Sequence, residues 1–406
     1  MDVVIAAAAR ALSAGDPLAA LKRVALRDDA PALAMRGIAM AQLGDLVRAR
    51  ELLRSAAHAF SPKEAMARAR CVVAEAEIAL VSRDLGRSSQ MLTAARTTLT
   101  ACGDHTNAAH AGYLEARFLL LIGRLDEAEA MLDEVDVGIL PRPSQVGYAL
   151  VMAGIAMRRI RTGPARAALE RARQGAEMAR IPALMAEADQ AMRAFEAPAA
   201  RFITRGAERS FRLDEVETLL ASDTLIVDAC RNAVRAGTTI IPLATRPVLL
   251  ALIRALAEAW PADVPRETLL KRAFRAQHAD ETHRARLRVE IARLREVVEP
   301  LAALTATSQG FVLQPYAARE VAVLAPPVEG DHADVFALLG DGQAWSSSAL
   351  ALALGVSTRT VQRALEELAL DRKVESFGRG WACRWIASSV PGFPTSLLLP
   401  VADMSV

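Results

Sequence analysis

The feature that most constrains the fold is a pattern that recurs through the first half of the 406-residue chain. In each copy a turn residue leads into Leu-x-x-Ala-x-x-Leu-Leu or a close variant. The two best copies span Leu43–Leu53 and Ile122–Leu132. Weaker copies begin at Gly15-Asp16, Asp84-Leu85 and Arg161. Apolar residues three and four apart, separated by glycine turns, are typical of helices packed in pairs, so residues 1–198 are predicted to be all-α.

Successive copies are offset by about 29 to 40 residues and are degenerate at both ends. The pattern resembles a tetratricopeptide array with repeats somewhat longer than the usual ~34 residues. The resemblance implies an N-terminal α–α superhelix whose curved surface binds a peptide, a partner protein or a small ligand. A homodimerisation or scaffold face is an equally good interpretation, and the residues do not decide between them. His58, His105 and His110 have no carboxylate or cysteine at a useful spacing, so they are predicted to be surface or capping histidines.

The helical pattern stops near residues 197–201, where the sequence reads APAAR. β-Branched residues then gather in TLIVDA and TTIIPLA with a turn RAG between them, which predicts short strands. Three helical segments follow, VLLALIRALAEAW, PRETLLKRAF and THRARLRVEIARLREVV; Pro247 suits the first turn of the first of them and Thr245 its N-cap. The stretches LTAT and FVLQ, separated by SQG, predict a β-hairpin. Strands, three helices and a hairpin in this order are typical of a winged helix-turn-helix domain.

More specifically, residues 223–315 resemble the OmpR-type DNA-binding domain, in which a small sheet precedes the three helices. The resemblance is carried by LIVDACRNAVRAG, the helix start PL-x-T-x-P-x-LL, VPRETLL, VEIARLR and TSQGFVLQP. It implies a bacterial transcription regulator that binds double-stranded DNA. OmpR-type regulators usually carry a phosphoacceptor domain, and the related antibiotic regulatory proteins usually place helical repeats after the DNA-binding domain. Control by phosphorylation is therefore not implied.

The third helical segment, residues 282–298, carries five arginines that burial of one face does not explain. The apolar residues recur at helical spacing and form the predicted buried stripe, Leu287, Ile291, Leu294 and Val298. The opposite face, with Arg286 at its edge, consists of Thr282, Ala285, Val289, Arg293 and Glu296. That outward face is predicted to enter a major groove.

Arg286 and Arg293 lie two turns apart, and each can contact guanine through two hydrogen bonds, while Val289 can pack against a thymine methyl group. The resemblance agrees, because recognition helices of the family use the positions that match Val289 and Arg293. The flanking residues are predicted to contact phosphates, which fix the register without reading sequence: His283, Arg284, Arg288 and Arg295. The alternative is a solvated helix with ion pairs such as Arg286 with Glu290.

A second unit is predicted at residues 332–388. The stretch SALALALGVSTRTVQRALEEL indicates a helix-turn-helix in which Gly355 forms the turn and Ser357 caps the third helix. The predicted buried stripe of that helix is Val361, Ala364, Leu365 and Leu368. The residues predicted to contact DNA are Ser357, Thr358, Arg359, Gln362 and Arg363, with Arg379 at the tip of a wing. The unit resembles winged helices of the GntR and MarR types at the level of this motif. Its charges nearly balance, so a protein-interaction role stays open. Trp381 and Trp385 are predicted to be core residues.

The predicted fold class is therefore mainly α, with a tetratricopeptide-like α–α superhelix followed by two winged helix-turn-helix (α+β) domains. The predicted boundaries are the helical repeats (1–198), the OmpR-type domain (199–316), a linker (317–331), the second winged helix-turn-helix (332–388) and a tail (389–406).

The formal net charge is only +2, so any basic patch must be local. The four cysteines are far apart and predict neither a disulfide framework nor a metal site. No leader-like or membrane-spanning stretch is present, so a cytoplasmic protein is predicted. Walker-type, H-E-x-x-H and G-x-S-x-G motifs are missing from the sequence, and we expect neither enzymatic activity nor a cofactor. The alternative function is an adaptor whose repeats and winged helices all bind protein.

Overall fold

The computed structural model describes residues 2–82, 88–274, 281–318, 320–327, 332–339, 344–378, 380 and 383–387. Within these ranges the chain is mainly helical with some sheet, as the sequence predicts. It divides into two compact units. One unit contains Met1–Ala194 and Asp331–Val406, and the other contains Phe195–Gly330.

The N-terminal segment of the first unit is built from α-helices joined by short turns. Their bounds are α1 Val3–Ser13, α2 Pro17–Val24, α3 Ala30–Gln42, α4 Leu46–Ala59, α5 Ala65–Val81, α6 Ser88–Ala101, α7 His105–Leu121, α8 Leu125–Asp133, α9 Arg142–Arg158, α10 Thr162–Ala179 and α11 Pro182–Glu196. A short 3₁₀ turn, Val137–Ile139, precedes α9. From α1 to α8, and again for α9 and α10, each helix packs against the next one in the chain.

The recurring sequence pattern coincides with the turns between paired helices. Gly44 and Gly123 both have positive φ, +88° and +79°, a conformation that glycine adopts without steric cost. Asp45 follows the first of these turns, and its carboxylate accepts a hydrogen bond from the Arg48 amide at 3.0 Å, which caps α4. The alanine and leucines of the pattern are buried between helices, as predicted: Ala49, Leu52, Leu53, Ala128 and Leu132. The weaker copy at Asp84-Leu85 lies outside the described residues.

The second unit alternates strands and helices. In chain order its elements are β1 Ala200–Thr204, β2 Ala207–Phe211, α12 Leu213–Leu220, β3 Leu225–Asp228, β4 Ala233–Ala236, β5 Thr239–Pro242, α13 Pro247–Ala259, β6 Val264–Pro265, α14 Arg266–Phe274, α15 Glu281–Val298, β7 Ala302–Ala306, β8 Gly310–Pro315 and β9 Val321–Ala325. The predicted strands β3 and β5, the RAG turn between β4 and β5, the three helices and the β7–β8 hairpin are all present.

The helices α13, α14 and α15 pack against two sheets. A six-stranded sheet has the order β2-β1-β9-β3-β4-β5, antiparallel except where β9 runs parallel to β3. A smaller sheet has the order β6-β8-β7. The core between them contains α13, whose Leu252 and Ile253 are fully buried. Pro247 opens α13 as predicted, but the N-cap is Arg246 and makes no side-chain capping hydrogen bond, so Thr245 does not cap this helix.

The strand β9 departs from the sequence-based expectation of a linker over residues 317–331. Every residue of β9 is buried, and the strand lies between β1 and β3 in the sheet. A continuous apolar run such as VAVLA is typical of a strand covered on both faces. The two prolines that follow it, rather than the whole segment, mark the end of the unit.

The C-terminal segment of the first unit contains three helices and a two-stranded sheet. Their bounds are α16 Ala333–Leu339, α17 Ser347–Leu354, α18 Thr358–Leu370, β10 Val374–Phe377 and β11 Arg384–Ala387. Trp345 forms an isolated antiparallel bridge with Trp385 and is almost fully buried. Trp385 is half-buried and Trp381 lies outside the described residues. The core aromatic residue of this segment is therefore Trp345.

Candidate nucleic-acid interface

The candidate interface is built on α15, which is held to its unit by one apolar stripe. Leu287, Ile291, Leu294 and Val298 are each at most 3% exposed. They belong to the same apolar cluster as Leu252 and Ile253 of α13 and the leucines of α14. Burial of these four side chains at helical spacing fixes the rotation of α15 about its axis. The opposite face is consequently turned to solvent, as predicted.

On this outward face two arginines flank an exposed apolar residue. Arg286 and Arg293 are both exposed, and Val289 between them is 50% exposed. A separation of seven residues places the two arginines about 10 Å apart along the helix axis at 1.5 Å per residue. This distance is comparable with the ~12 Å width of a B-DNA major groove.

The two arginines are oriented by different neighbours. The guanidinium of Arg286 lies over the ring of Phe274 at 4.7 Å, a cation–π contact that stabilises it beside α14. Arg293 pairs with Glu290 at 2.9 Å, where the glutamate side chain is 13% exposed and the arginine 61% exposed. Glu290 thus pairs with Arg293 and not with Arg286, which was the pairing expected for a solvated helix. Because both arginines remain exposed, their outer N–H groups are available to an acceptor.

Arg284 and Arg288 form a second basic row on the side of α15. Both are exposed and share the carboxylate of Glu281, with N–O distances of 3.5 Å and 3.0 Å. Pairs this exposed contribute little stability, so exchanging Glu281 for a phosphate costs little. His283 is half-buried, with its ring 6.1 Å from that of Phe274.

Arg295 is positioned differently from the other predicted phosphate contacts. Its Nε donates a 2.8 Å hydrogen bond to the carbonyl oxygen of Leu304 in β7, and its guanidinium lies 5.8 Å from the ring of Phe311 in β8. The side chain therefore joins α15 to the hairpin. Its contribution to phosphate binding stays a prediction.

The turn of the β7–β8 hairpin is fixed by residues from α14 and the loop before β6. Arg266 donates hydrogen bonds to the carbonyl oxygens of Ser308 and Thr307, at 3.2 Å and 3.1 Å. The Thr307 hydroxyl bonds the carboxylate of Asp263 at 2.5 Å. Gly310 has no space for a side chain, since a Cβ there would lie 1.7 Å from the Val264 carbonyl oxygen. The hairpin is thus held at a fixed position beside α15.

Two further cations, on elements that neighbour α15, were missed by sequence reasoning. Arg246 precedes α13 and lines a pocket with Arg293 and the first turn of α13. Lys271 is exposed on α14. Neither side chain has an ion-pair partner in the part of the chain that the structure describes. The available sequence signal for Arg246 was its position directly before Pro247, which begins α13. This position places Arg246 at the N-terminus of that helix.

The second candidate helix, α18, shows the predicted stripe and cap. Val361, Ala364, Leu365 and Leu368 are each at most 2% exposed. The Ser357 hydroxyl accepts a 3.1 Å hydrogen bond from the Thr360 amide, and Gly355 has a φ of +66° in the preceding turn. The outward residues Thr358, Arg359, Gln362 and Arg363 are all exposed. Arg379, the predicted wing arginine, lies outside the described residues.

The charges on α18 are partly neutralised by its own glutamates. Arg363 lies 3.8 Å from Glu367, which also pairs with His332 at 2.6 Å. Arg359 has no ion-pair partner among the described residues. This face is less basic than that of α15.

We compared the chain with family models, curated proteins and solved structures, and none of them matches it.

The N-terminal helices contain a buried polar network that corrects the expectation for His110. This residue is not a surface or capping histidine: it is fully buried, with one ring nitrogen 3.1 Å from Glu77 and the other 3.2 Å from the Ser144 hydroxyl. Tyr113 packs edge-on against the ring at 4.9 Å, and burial raises the pKa of its hydroxyl well above the ordinary value. The three linked polar residues belong to α5, α7 and α9, so no local sequence signal connects them. Since all are buried, they hold helices together and offer no accessible catalytic group.

The residues that the structure describes contain neither a metal-binding cluster nor a membrane-spanning helix. No group of three or more histidine, cysteine, aspartate or glutamate side chains has the arrangement needed to hold a metal ion there. None of the described helices combines the length and apolar character required to cross a membrane.

Proposed function

We propose that the chain is a sequence-specific, DNA-binding transcription regulator of the bacterial cytoplasm. The second unit would be a winged helix-turn-helix domain of the OmpR type, with α15 as the recognition helix and β7–β8 as the wing. The element order and the three-stranded sheet β6-β8-β7 support this proposal, because three helices followed by a hairpin is the order of elements in a winged helix-turn-helix domain.

The observation that carries the proposal is the exposure of Val289 between two arginines. Contact of an apolar side chain with water is unfavourable, and Val289 is exposed in the middle of a charged helix face. In a major groove the same side chain packs against a thymine methyl group, while Arg286 and Arg293 donate to guanine N7 and O6. Single exposed apolar residues are common on protein surfaces, so the support for the proposal lies in the position of Val289 between two exposed arginines.

The surrounding cations supply the contacts that do not depend on sequence. Arg284 and Arg288 flank one side of the face, and Arg246 and Lys271 lie on neighbouring helices. Phosphate contacts of this kind dominate affinity and make it fall with salt. A net charge of +2 for the whole chain is compatible with DNA binding because DNA meets a local surface, and α15 carries five arginines against three glutamates.

The other parts would act around this reader. Helices α1–α11 would form a tetratricopeptide-like superhelix that senses a ligand, binds a partner or mediates a homodimer, and α16–β11 would form a second winged helix-turn-helix. Two readers joined in one chain multiply their affinities when both sub-sites are present.

Selection from a pool of random double-stranded DNA by the full-length protein tests the proposal. We expect an enriched motif containing guanines and a thymine, and an affinity for it that falls steeply between about 50 and 200 mM salt. Enrichment of no motif at either salt concentration would contradict sequence-specific DNA binding.

A second function is favoured for the C-terminal segment by one observation. Leu370 at the end of α18 is 84% exposed, and Phe377 in β10 is 52% exposed. A protein partner that covers both side chains would bury apolar surface that is now in contact with water. The segment would then be an adaptor module. In that case, selection with the Arg363→Ala variant would enrich the same DNA motif as selection with the wild type.

A further inference from the structure

A pocket in the helical repeats has the size of a small-molecule site. It lies between α4, α5 and α6 and has a volume of about 760 Å³. Pockets that bind drug-sized ligands typically measure about 300–1,000 Å³. Every residue that lines it belongs to the first unit, far in sequence from the candidate DNA interface.

The wall of this pocket is apolar. Phe60, Val72 and Met91 contribute large side chains, and several alanines complete the lining. Ala94 is exposed and faces the same space, so the pocket is open to solvent on that side. A ligand that fills the pocket must therefore present an apolar body to these side chains.

The polar residues at the pocket carry an excess of positive charge. Arg54, Arg68 and the imidazole of His58 line it together with a single carboxylate, that of Glu75. Glu75 is already paired with Arg54 at 2.6 Å and lies 3.9 Å from Arg50. Arg68 has no ion-pair partner in the described ranges. One guanidinium beside an apolar pocket is thus available to an anion.

We propose that this pocket binds a small organic carboxylate with an apolar body, whose carboxylate pairs with Arg68 and whose body packs against Phe60, Val72 and Met91. The inference goes beyond DNA binding and does not depend on it. A carboxylate is favoured over a neutral or cationic head because two arginines and one carboxylate line the pocket and that carboxylate is already paired with Arg54, so Arg68 is left to form a charge-assisted pair with the ligand.

Calorimetric titration of the full-length protein, without DNA, tests the site with defined probes. We use decanoate, its shorter homologues octanoate and hexanoate, and decyltrimethylammonium, which has the same tail and the opposite charge. Decanoate is expected to bind at one site, each methylene to tighten binding about fourfold, and the cation to bind at least about tenfold more weakly. Equal binding of decanoate and decyltrimethylammonium would overturn the proposal, as would the absence of decanoate binding.

Variants locate the binding in this pocket. Arg68→Gln is expected to weaken decanoate binding about tenfold or more, because it removes a hydrogen bond to a charged group. Ala94→Phe fills the pocket from its solvent side and is expected to abolish binding without disturbing the buried core. Arg10→Gln removes an exposed arginine of α1 outside the pocket and should bind decanoate as the wild type does. Wild-type affinity in both Arg68→Gln and Ala94→Phe would show that decanoate binds elsewhere and would reject the site.

Discussion

The helices α15 and α18 have the same design and different surfaces. Each buries four apolar residues on one face and exposes the other, and each follows a shorter helix in its segment. Helix α15 carries five arginines and three glutamates, whereas α18 carries two of each. The exposed apolar residue of α15 is Val289, in the middle of the arginine face; that of α18 is Leu370, at the end of the helix.

This difference separates folding from recognition. The buried stripe specifies only that a helix packs on its neighbours, and both helices satisfy it equally. The outward residues decide what the helix binds: excess arginine around a small apolar side chain suits a DNA groove, and balanced charge beside Leu370 and Phe377 suits a protein. Single substitutions at comparable positions of the two segments are therefore expected to have different effects, and each pair can be tested separately.

The largest difference is expected for two glycine substitutions. Gly310→Ala places a Cβ 1.7 Å from the backbone oxygen of Val264, so β6 and β8 must separate, at a cost of about 3 kcal/mol. Gly355→Ala meets nothing within 4 Å and pays only for its φ of +66°, about 1 kcal/mol. Amide hydrogen exchange measured separately in the β7–β8 hairpin and in α17–α18 reports the two costs.

Measurement of DNA binding by the same two glycine variants extends this comparison. Because the hairpin contacts α15 through Arg295, Gly310→Ala should also weaken DNA binding, whereas Gly355→Ala should leave the contribution of α15 intact. Unchanged exchange in the β7–β8 hairpin of Gly310→Ala would show that β6 can move away freely and that the hairpin is not held as described.

Local patterns predicted the parts of the molecule that depend on neighbours in sequence. The buried stripes of both helices, the Ser357 cap and the glycine turns at Gly44 and Gly123 follow from periodicity and backbone preference within a few residues. The candidate outward arginines follow from the same periodicity, because a helix that buries one face exposes the other.

Parts that depend on distant residues were not predictable in this way. The strand β9 acquires its place only by lying between β1 and β3, about 100 residues away or more in the chain. The same holds for His110, whose partners Glu77 and Ser144 come from two other helices. Arg295 was expected to contact a phosphate because helical periodicity predicts that its side chain is exposed. Periodicity does not predict the Leu304 carbonyl group, which accepts a hydrogen bond from this side chain.

An intermediate effect is expected for one arginine on each helix. Arg293→Ala should cost about 1–3 kcal/mol of binding to the selected motif and relax the preference at one base pair, as is typical of a lost base contact. Arg363→Ala should change that affinity by much less, because α18 carries as many glutamates as arginines, so its outward face is less basic than that of α15. Fluorescence anisotropy with the selected duplex and with single-base variants of it measures both.

Either of two results would revise the comparison. An equal loss for Arg293→Ala on all duplexes would reduce that residue to a phosphate contact. A loss for Arg363→Ala as large as that for Arg293→Ala, and confined to certain base pairs, would make α18 a second reader and reject its role as a protein-binding face.

The smallest effects distinguish two arginines on the same helix, Arg288 and Arg295. Arg288 is 72% exposed, and its ion-pair partner among the described residues is the equally exposed Glu281, so Arg288→Ala should leave stability within about 0.5 kcal/mol of the wild type. It should weaken binding to every duplex by the same factor and lower the slope of log affinity against log salt by about one.

Arg295→Ala instead removes the hydrogen bond to Leu304 and the contact with Phe311, and should cost about 1 kcal/mol of local stability, visible as faster amide exchange in β7. If Arg295→Ala lowers the salt slope by one and leaves β7 protected, then its guanidinium reaches a phosphate in the complex and the hydrogen bond to β7 is exchanged for it. The basic row on this side of α15 would then extend over all three of its flanking arginines, which would widen the contrast with α18.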